Sequence, residues 1–86
     1  MANKYKIIAL VESTDILGMY NYIIEVKIND KPIKITFRVS EEFKLFKIDK
    51  KGIKLENWID EQVIIHSKKL QELDNLSENY VIDYRL

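Results

Sequence analysis

The chain has 86 residues, with 14 basic and 14 acidic side chains, one histidine and no cysteine. Its length and its 47% apolar content predict one folded domain over residues 1–86. The lack of cysteine excludes disulfides, a thiol nucleophile and a thiolate metal site, and zero net charge argues against indiscriminate attraction to nucleic acid or membrane. The longest N-terminal apolar run, residues 7–11, is shorter than a signal-peptide core or a membrane span. We therefore predict a cytoplasmic protein with no membrane partner.

Four segments alternate with a period of two and predict strands with one buried face. They cover residues 4–12, 20–28, 33–39 and 79–86. In the first segment Ile8 and Leu10 place apolar residues on the second side as well, which is typical of a central strand covered on both faces. The apolar alternation assigns one side of each strand to the core: Tyr5, Ile7, Ala9 and Val11, then Tyr20, Tyr22, Ile24, Val26 and Ile28, then Ile33, Ile35, Phe37 and Val39, then Tyr80, Ile82, Tyr84 and Leu86.

The segment Asn29-Asp30-Lys31-Pro32 predicts a tight hairpin, because Asn and Asp tolerate turn dihedrals and proline cannot donate to an interior ladder. Pairing Ile28 with Ile33 matches the apolar faces of the second and third strands. This register places Lys27 directly opposite Lys34, with Glu25 diagonal to Lys34 and Arg38.

One long helix is predicted from Trp58 to about Leu73, with Asn57 as the N-cap. Its buried stripe recurs at steps of three and four and consists of Leu55, Ile59, Val63, His66, Leu70 and Leu73. Residues 41–48 fit either a short helix with Phe43, Leu45 and Phe46 inward or a strand that turns near Gly52. The order β-β-β-(short α)-α-β predicts an α+β fold with about four mostly antiparallel strands and the long helix on one face.

The chemistry-bearing residues form few convergent sets. Asp15, followed ten residues later by Glu25-Val26-Lys27, resembles the PD-(D/E)xK nuclease pattern, although Thr14 stands where that pattern has proline. The resemblance covers about thirteen residues and implies Mg²⁺ held by the two carboxylates, with Lys27 beside the attacking water. His66 lies within the apolar helix stripe, which favours a hydrogen-bonded residue at the edge of the core over a base or metal ligand. We predict no cofactor and no metal.

Charge is unevenly distributed along the chain. Residues 27–54 carry nine basic and four acidic side chains, whereas residues 55–86 carry three and seven. Lys27, Lys34 and Arg38 share one predicted sheet face that could contact phosphates. Tyr20, Tyr22 and Trp58 are candidate anchors for a protein partner, because tyrosine and tryptophan are enriched at interfaces.

These patterns predict a small protein–protein interaction or regulatory module without catalytic activity, a class that includes accessory proteins of phages and mobile elements. The partner is another protein or a second copy in a homodimer. The alternative is nucleic-acid binding through Lys27, Lys34 and Arg38. A metal-dependent nuclease site at Asp15, Glu25 and Lys27 ranks below both.

Overall fold

A computed structural model describes residues 5–86, so Lys4, the predicted start of the first strand, lies outside the described residues. The chain forms an α+β fold in which a four-stranded sheet has the order β1-β2-β3-β4. Strand β1 pairs antiparallel with β2, and β2 pairs antiparallel with β3, whereas β3 and β4 are parallel. The elements are β1 (Tyr5–Leu10), β2 (Met19–Ile28), β3 (Lys31–Ser40), α1 (Glu41–Phe43), a π-helical segment (Lys44–Asp49), α2 (Leu55–Leu70) and β4 (Asn79–Tyr84).

The core lies between one face of the sheet and α2. The predicted inward residues of β2 and β3 are buried from Tyr22 to Val39, and Trp58, Ile59 and Val63 of α2 pack against them. Residues of β4 complete this layer, since Tyr80, Ile82 and Tyr84 pair with Ile35, Phe37 and Val39 and are partly buried. The alternation in these three strands thus identified the core face correctly within the observed strands. Strand β4 ends at Tyr84, however, so Leu86, predicted to point inward, lies beyond it and is exposed.

The β2–β3 turn has two residues, and the predicted register was therefore wrong by two positions. Asn29 and Asp30 both have positive φ, 53° and 64°, so a two-residue turn of the kind that fits the strand twist closes the hairpin. Ile28 consequently pairs with Lys31 and Val26 with Ile33. A shift of two keeps every side chain on its predicted face but changes every cross-strand neighbour.

Strand β1 ends at Leu10, two residues before the predicted end at Glu12, and differs from its prediction in two further ways. It lies at an edge of the sheet instead of at its centre, because among the described strands only β2 pairs with it. A β-bulge between Ile7 and Ala9 also changes the alternation, so Ala9 pairs with Ile23 and Leu10 with Tyr22. Leu10 therefore points to the helix-covered face and Ala9 to the other face, the reverse of the prediction.

Residues 41–49 are helical, which decides between the two predicted alternatives. Ser40 caps the helix, since its Oγ accepts the backbone N–H of Phe43 at 3.1 Å. The backbone N–H of Lys50 donates to the carbonyl of Leu45, a bond to the fifth residue back that is typical of a π-helix. This wider turn brings Phe43 and buried Ile48 to the core side. It leaves Leu45 and Phe46 exposed, contrary to the prediction.

Helix α2 begins three residues earlier than predicted and ends three residues earlier. Its N-cap is Lys54, which makes no side-chain cap, and Asn57 lies exposed within the first turn. Ser67 is buried, whereas Leu73 lies beyond the helix and is exposed. The remaining stripe residues, from Leu55 to Leu70, pack on the core as expected.

Candidate functional site: the open face of the sheet

The sheet has one uncovered face, which we call the open face. Helix α2 covers the opposite face, and across residues 5–86 no second helix lies over the open one, although the β1–β2 loop reaches its end at Asn21 and Arg38 through Asp15. Strand pairing sorts its side chains into rows that run across the strands. They are Asn21, Arg38 and Asp83; Ala9, Ile23, Thr36 and Val81; Lys6, Glu25, Lys34 and Asn79; and Lys27 with Pro32.

The second of these rows carries no charge on any strand, and we call it the uncharged row. Ala9 pairs with Ile23, Ile23 with Thr36, and Thr36 with Val81, so the row crosses the whole sheet. Val81 is 62% exposed, and the other three side chains are half-buried by their neighbours. A β-branched or small residue at every position gives a smooth strip that water contacts directly. Covering such a strip with another surface lowers the free energy, because apolar area is removed from water.

Lysines dominate the end of the open face nearest the β2–β3 turn. Glu25 lies between Lys6 and Lys34 as the cross-strand neighbour of both, and Lys27 lies two residues further along β2. The predicted opposition of Lys27 and Lys34 was wrong, because Lys27 pairs with Pro32 and Lys34 with Glu25. Within residues 5–86, the three lysines make no ion pair. Their charges are therefore balanced only partly, by proximity to Glu25.

The other end of the open face is an ion-pair cluster around Arg38. Its Nη1 lies 3.3 Å from Oδ1 of Asp83 on the adjacent strand, and its Nη2 lies 3.7 Å from Oδ2 of Asp15. Arg38 is thus separated from Lys27 and Lys34 and already has two carboxylate partners. The three predicted phosphate-binding residues share one face, as expected, but within residues 5–86 Arg38 forms ion pairs and the two lysines do not.

Asp15 organises the loop between β1 and β2. Its carboxylate accepts the side-chain amide of Asn21 at 2.9 Å and the backbone N–H groups of Leu17 and Met19 at 2.9 and 3.1 Å. These donors, the Asn21 amide foremost, lower the pKa of Asp15 against the opposing effect of desolvation, and Arg38 adds to the lowering. Hydrogen bonds within the loop and to the start of β2 therefore already use this carboxylate.

The residues of the nuclease-like pattern do not converge. Asp15 bonds to Asn21, and Glu25 lies four residues further along the same strand, a distance of about 13 Å at about 3.3 Å per residue. Glu25 and Lys27 do share the open face. Among the described residues, no three acidic or histidine side chains are grouped to hold a metal ion. The arrangement offers no pair of carboxylates to one Mg²⁺.

The predicted aromatic anchors lie on the core side. Tyr22 and Trp58 are buried, and Tyr20 is half-buried and stacked on Tyr22 with ring centroids 6.3 Å apart. Trp58 packs edge-on against Tyr84, with ring centroids 4.9 Å apart. These rings therefore stabilise the fold, and none of them belongs to the open face.

A hydrogen-bonded triad that the sequence did not indicate joins β4 to α2. The Tyr84 hydroxyl donates to Oε1 of Gln62 at 2.8 Å, and Nε2 of His66 lies 2.8 Å from the same hydroxyl oxygen. Since the phenol has only one proton, His66 donates to Tyr84 through Nε2–H. Burial lowers the pKa of His66, with a further contribution from Lys69, and burial raises the pKa of Tyr84. His66 thus has the predicted position at the edge of the core.

Comparison with known proteins identifies no relative. The chain matches no protein-family model, no curated protein and no solved structure. Among the described helices, none combines the length and apolar character needed to cross a membrane. The geometry of the open face is therefore the main indication of function.

Proposed function

We propose that the protein is a non-catalytic protein–protein interaction module that binds its partner with the open face. The uncharged row carries this proposal, because it crosses all four strands on a surface that no other described element covers. Charged rows flank it on both sides. An uncharged centre with a charged rim is the usual organisation of protein interfaces.

The size of the face indicates how tightly it can bind. Strands of six to ten residues, spaced about 4.8 Å apart, give a surface of about 20 by 25 Å, or about 500 Å². A stable interface buries about 800 Å² on each partner. A face of this size lies at the small end of known interfaces, so we expect a reversible, transient interaction.

Photo-crosslinking tests this proposal. A photoreactive residue replaces Val81, in the uncharged row, and in a separate variant replaces Ile65, which is 41% exposed on the outer side of α2. We expect the first variant to crosslink in the producing cell to one defined protein and the second to leave that protein unlabelled. The partner, once purified, should bind the Val81→Lys variant at least about tenfold more weakly than wild type. Equal labelling from both positions would contradict the proposal.

The lysines at the turn end support a second, lower-ranked proposal, nucleic-acid binding. Lys6, Lys27 and Lys34 lie on one surface without ion pairs within residues 5–86. Glu25 lies among them, and the rows of the open face contain no aromatic ring on which a base could stack. Salt-dependent binding that Lys27→Glu and Lys34→Glu both weaken would favour this function. Binding that is independent of salt, or that neither substitution changes, would exclude it.

A further inference from the structure

We propose that two copies of the chain pair edge to edge through β1 and form a continuous eight-stranded sheet. The starting point is a mismatch between the residues of β1 and its position. Its six residues include one charge and no glycine or proline, a composition typical of a strand inside a sheet. Within residues 5–86, however, this strand has a neighbour on one side only.

The exposure of β1 shows what the missing neighbour would cover. Ile7, Ile8 and Leu10 are 38%, 44% and 38% exposed, although Ile7 and Leu10 point to the helix-covered face. Helix α2 thus stops short of this edge. Exposed apolar edge strands readily pair with further strands, since their free N–H and C=O groups lie beside uncovered side chains.

Natural edges are protected by charges, prolines or bulges, and β1 has Lys6 and the bulge at Ile8. The bulge makes the edge compatible with a second copy of itself. Because it adds one residue, Lys6 and Ala9 both lie on the open face, while Tyr5 and Leu10 both lie on the helix-covered face. A two-fold axis between Ile7 and Ile8 therefore pairs Lys6 with Ala9 of the second copy, and Tyr5 with Leu10 of the second copy.

Away from the axis, this pairing matches faces as an antiparallel sheet requires. The Lys6–Ala9 pairs share the open face and the Tyr5–Leu10 pairs share the helix-covered face, while the bulge residue Ile8 of each copy lies beside the axis, opposite Ile7 of the other. The two Lys6 side chains lie at opposite ends of the paired segment, so no like charges are directly opposed. The contact is isologous and closes as a dimer. A partner strand without a bulge would match the faces of β1 on one side of Ile8 only, which favours a second copy as the occupant.

Sedimentation equilibrium over about 1 µM to about 1 mM tests the proposal. We expect wild type to dimerise and Ile8→Lys to weaken the dimer at least about tenfold. In that variant the two new lysines, one from each copy, lie close together near the axis and repel each other. Ile65→Lys is the matched control, since Ile65 has the same side chain and a similar exposure on the outer side of α2. It should dimerise like wild type.

Amide exchange provides a second measurement that needs no variant. Protection of the amides of residues 5–10 should rise with protein concentration, while that of residues 79–84 should not. A monomer across the whole range would overturn the proposal, as would equal weakening by Ile8→Lys and Ile65→Lys. Val81→Lys should leave the dimer intact, so failure of the edge pairing and failure of binding through the open face are distinguishable.

Discussion

The Tyr84 hydroxyl is the polar link between the last strand and α2, and its removal should measurably destabilise the fold. Tyr84→Phe deletes the bond donated to Gln62 and the bond accepted from His66, both 2.8 Å long. Each hydrogen bond contributes about 1 kcal/mol net, and both abandoned partners are only half-buried, so water can replace part of the loss. We therefore expect the free energy of unfolding to fall by about 1–2 kcal/mol. For a domain of this size the melting temperature should fall by about 5–15 °C.

Urea and thermal unfolding, followed by circular dichroism, measure this change. Tyr80→Phe is the matched control, because Tyr80 points to the same face of β4 but its hydroxyl accepts only the exposed backbone N–H of Ser77. It should cost less than about 1 kcal/mol. A double-mutant cycle with Gln62→Ala should give a coupling energy of at least about 0.5 kcal/mol. Equal losses for both tyrosines, together with no coupling, would refute the assigned triad.

Three further predictions concern protonation and backbone strain. Because burial lowers the pKa of His66 in the folded state, the unfolded state takes up the proton first as the pH falls. The free energy of unfolding should therefore decrease below about pH 6.5. Urea titrations should show a smaller decrease for His66→Gln. Asp30 has a φ of 64°, so Asp30→Gly should stabilise the hairpin by about 0.5 kcal/mol and Asp30→Ala should destabilise it by about 1 kcal/mol; the same sign for both would contradict the turn geometry. Gly52 has a φ of 68° with open space around it, so Gly52→Ala should cost about 1–2 kcal/mol from backbone strain alone, and an unchanged urea midpoint would exclude that strain.

Alternation was a reliable guide wherever a strand pairs regularly. The inward residues of β2 and β3 follow their predicted faces, because a period of two holds along an unbroken ladder. The bulge in β1 adds a residue that no pattern of side chains reveals, and it reverses the faces of Ala9 and Leu10. The turn at Asn29 and Asp30 was recognised, but its length depends on both residues adopting positive φ, which the sequence permits without requiring.

Parts of the site that depend on distant pairing were not predictable. The shared face of Lys27, Lys34 and Arg38 follows from local alternation. The ion pair that occupies Arg38 joins residues 45 positions apart, across a parallel pairing that only the complete topology establishes. The uncharged row likewise combines residues of four strands. The exposure of Leu45 and Phe46 has a different cause. The π-helical turn places Phe43 and Ile48 on the core side instead of these two residues.

The affinity of Val81→Lys for the crosslinked partner tests the use of the open face most directly. Isothermal titration should give at least about tenfold weaker binding for this variant and unchanged binding for Ile65→Lys, with both variants as stable as wild type. Loss of binding in Ile65→Lys with wild-type affinity in Val81→Lys would contradict the account and place the binding surface on α2.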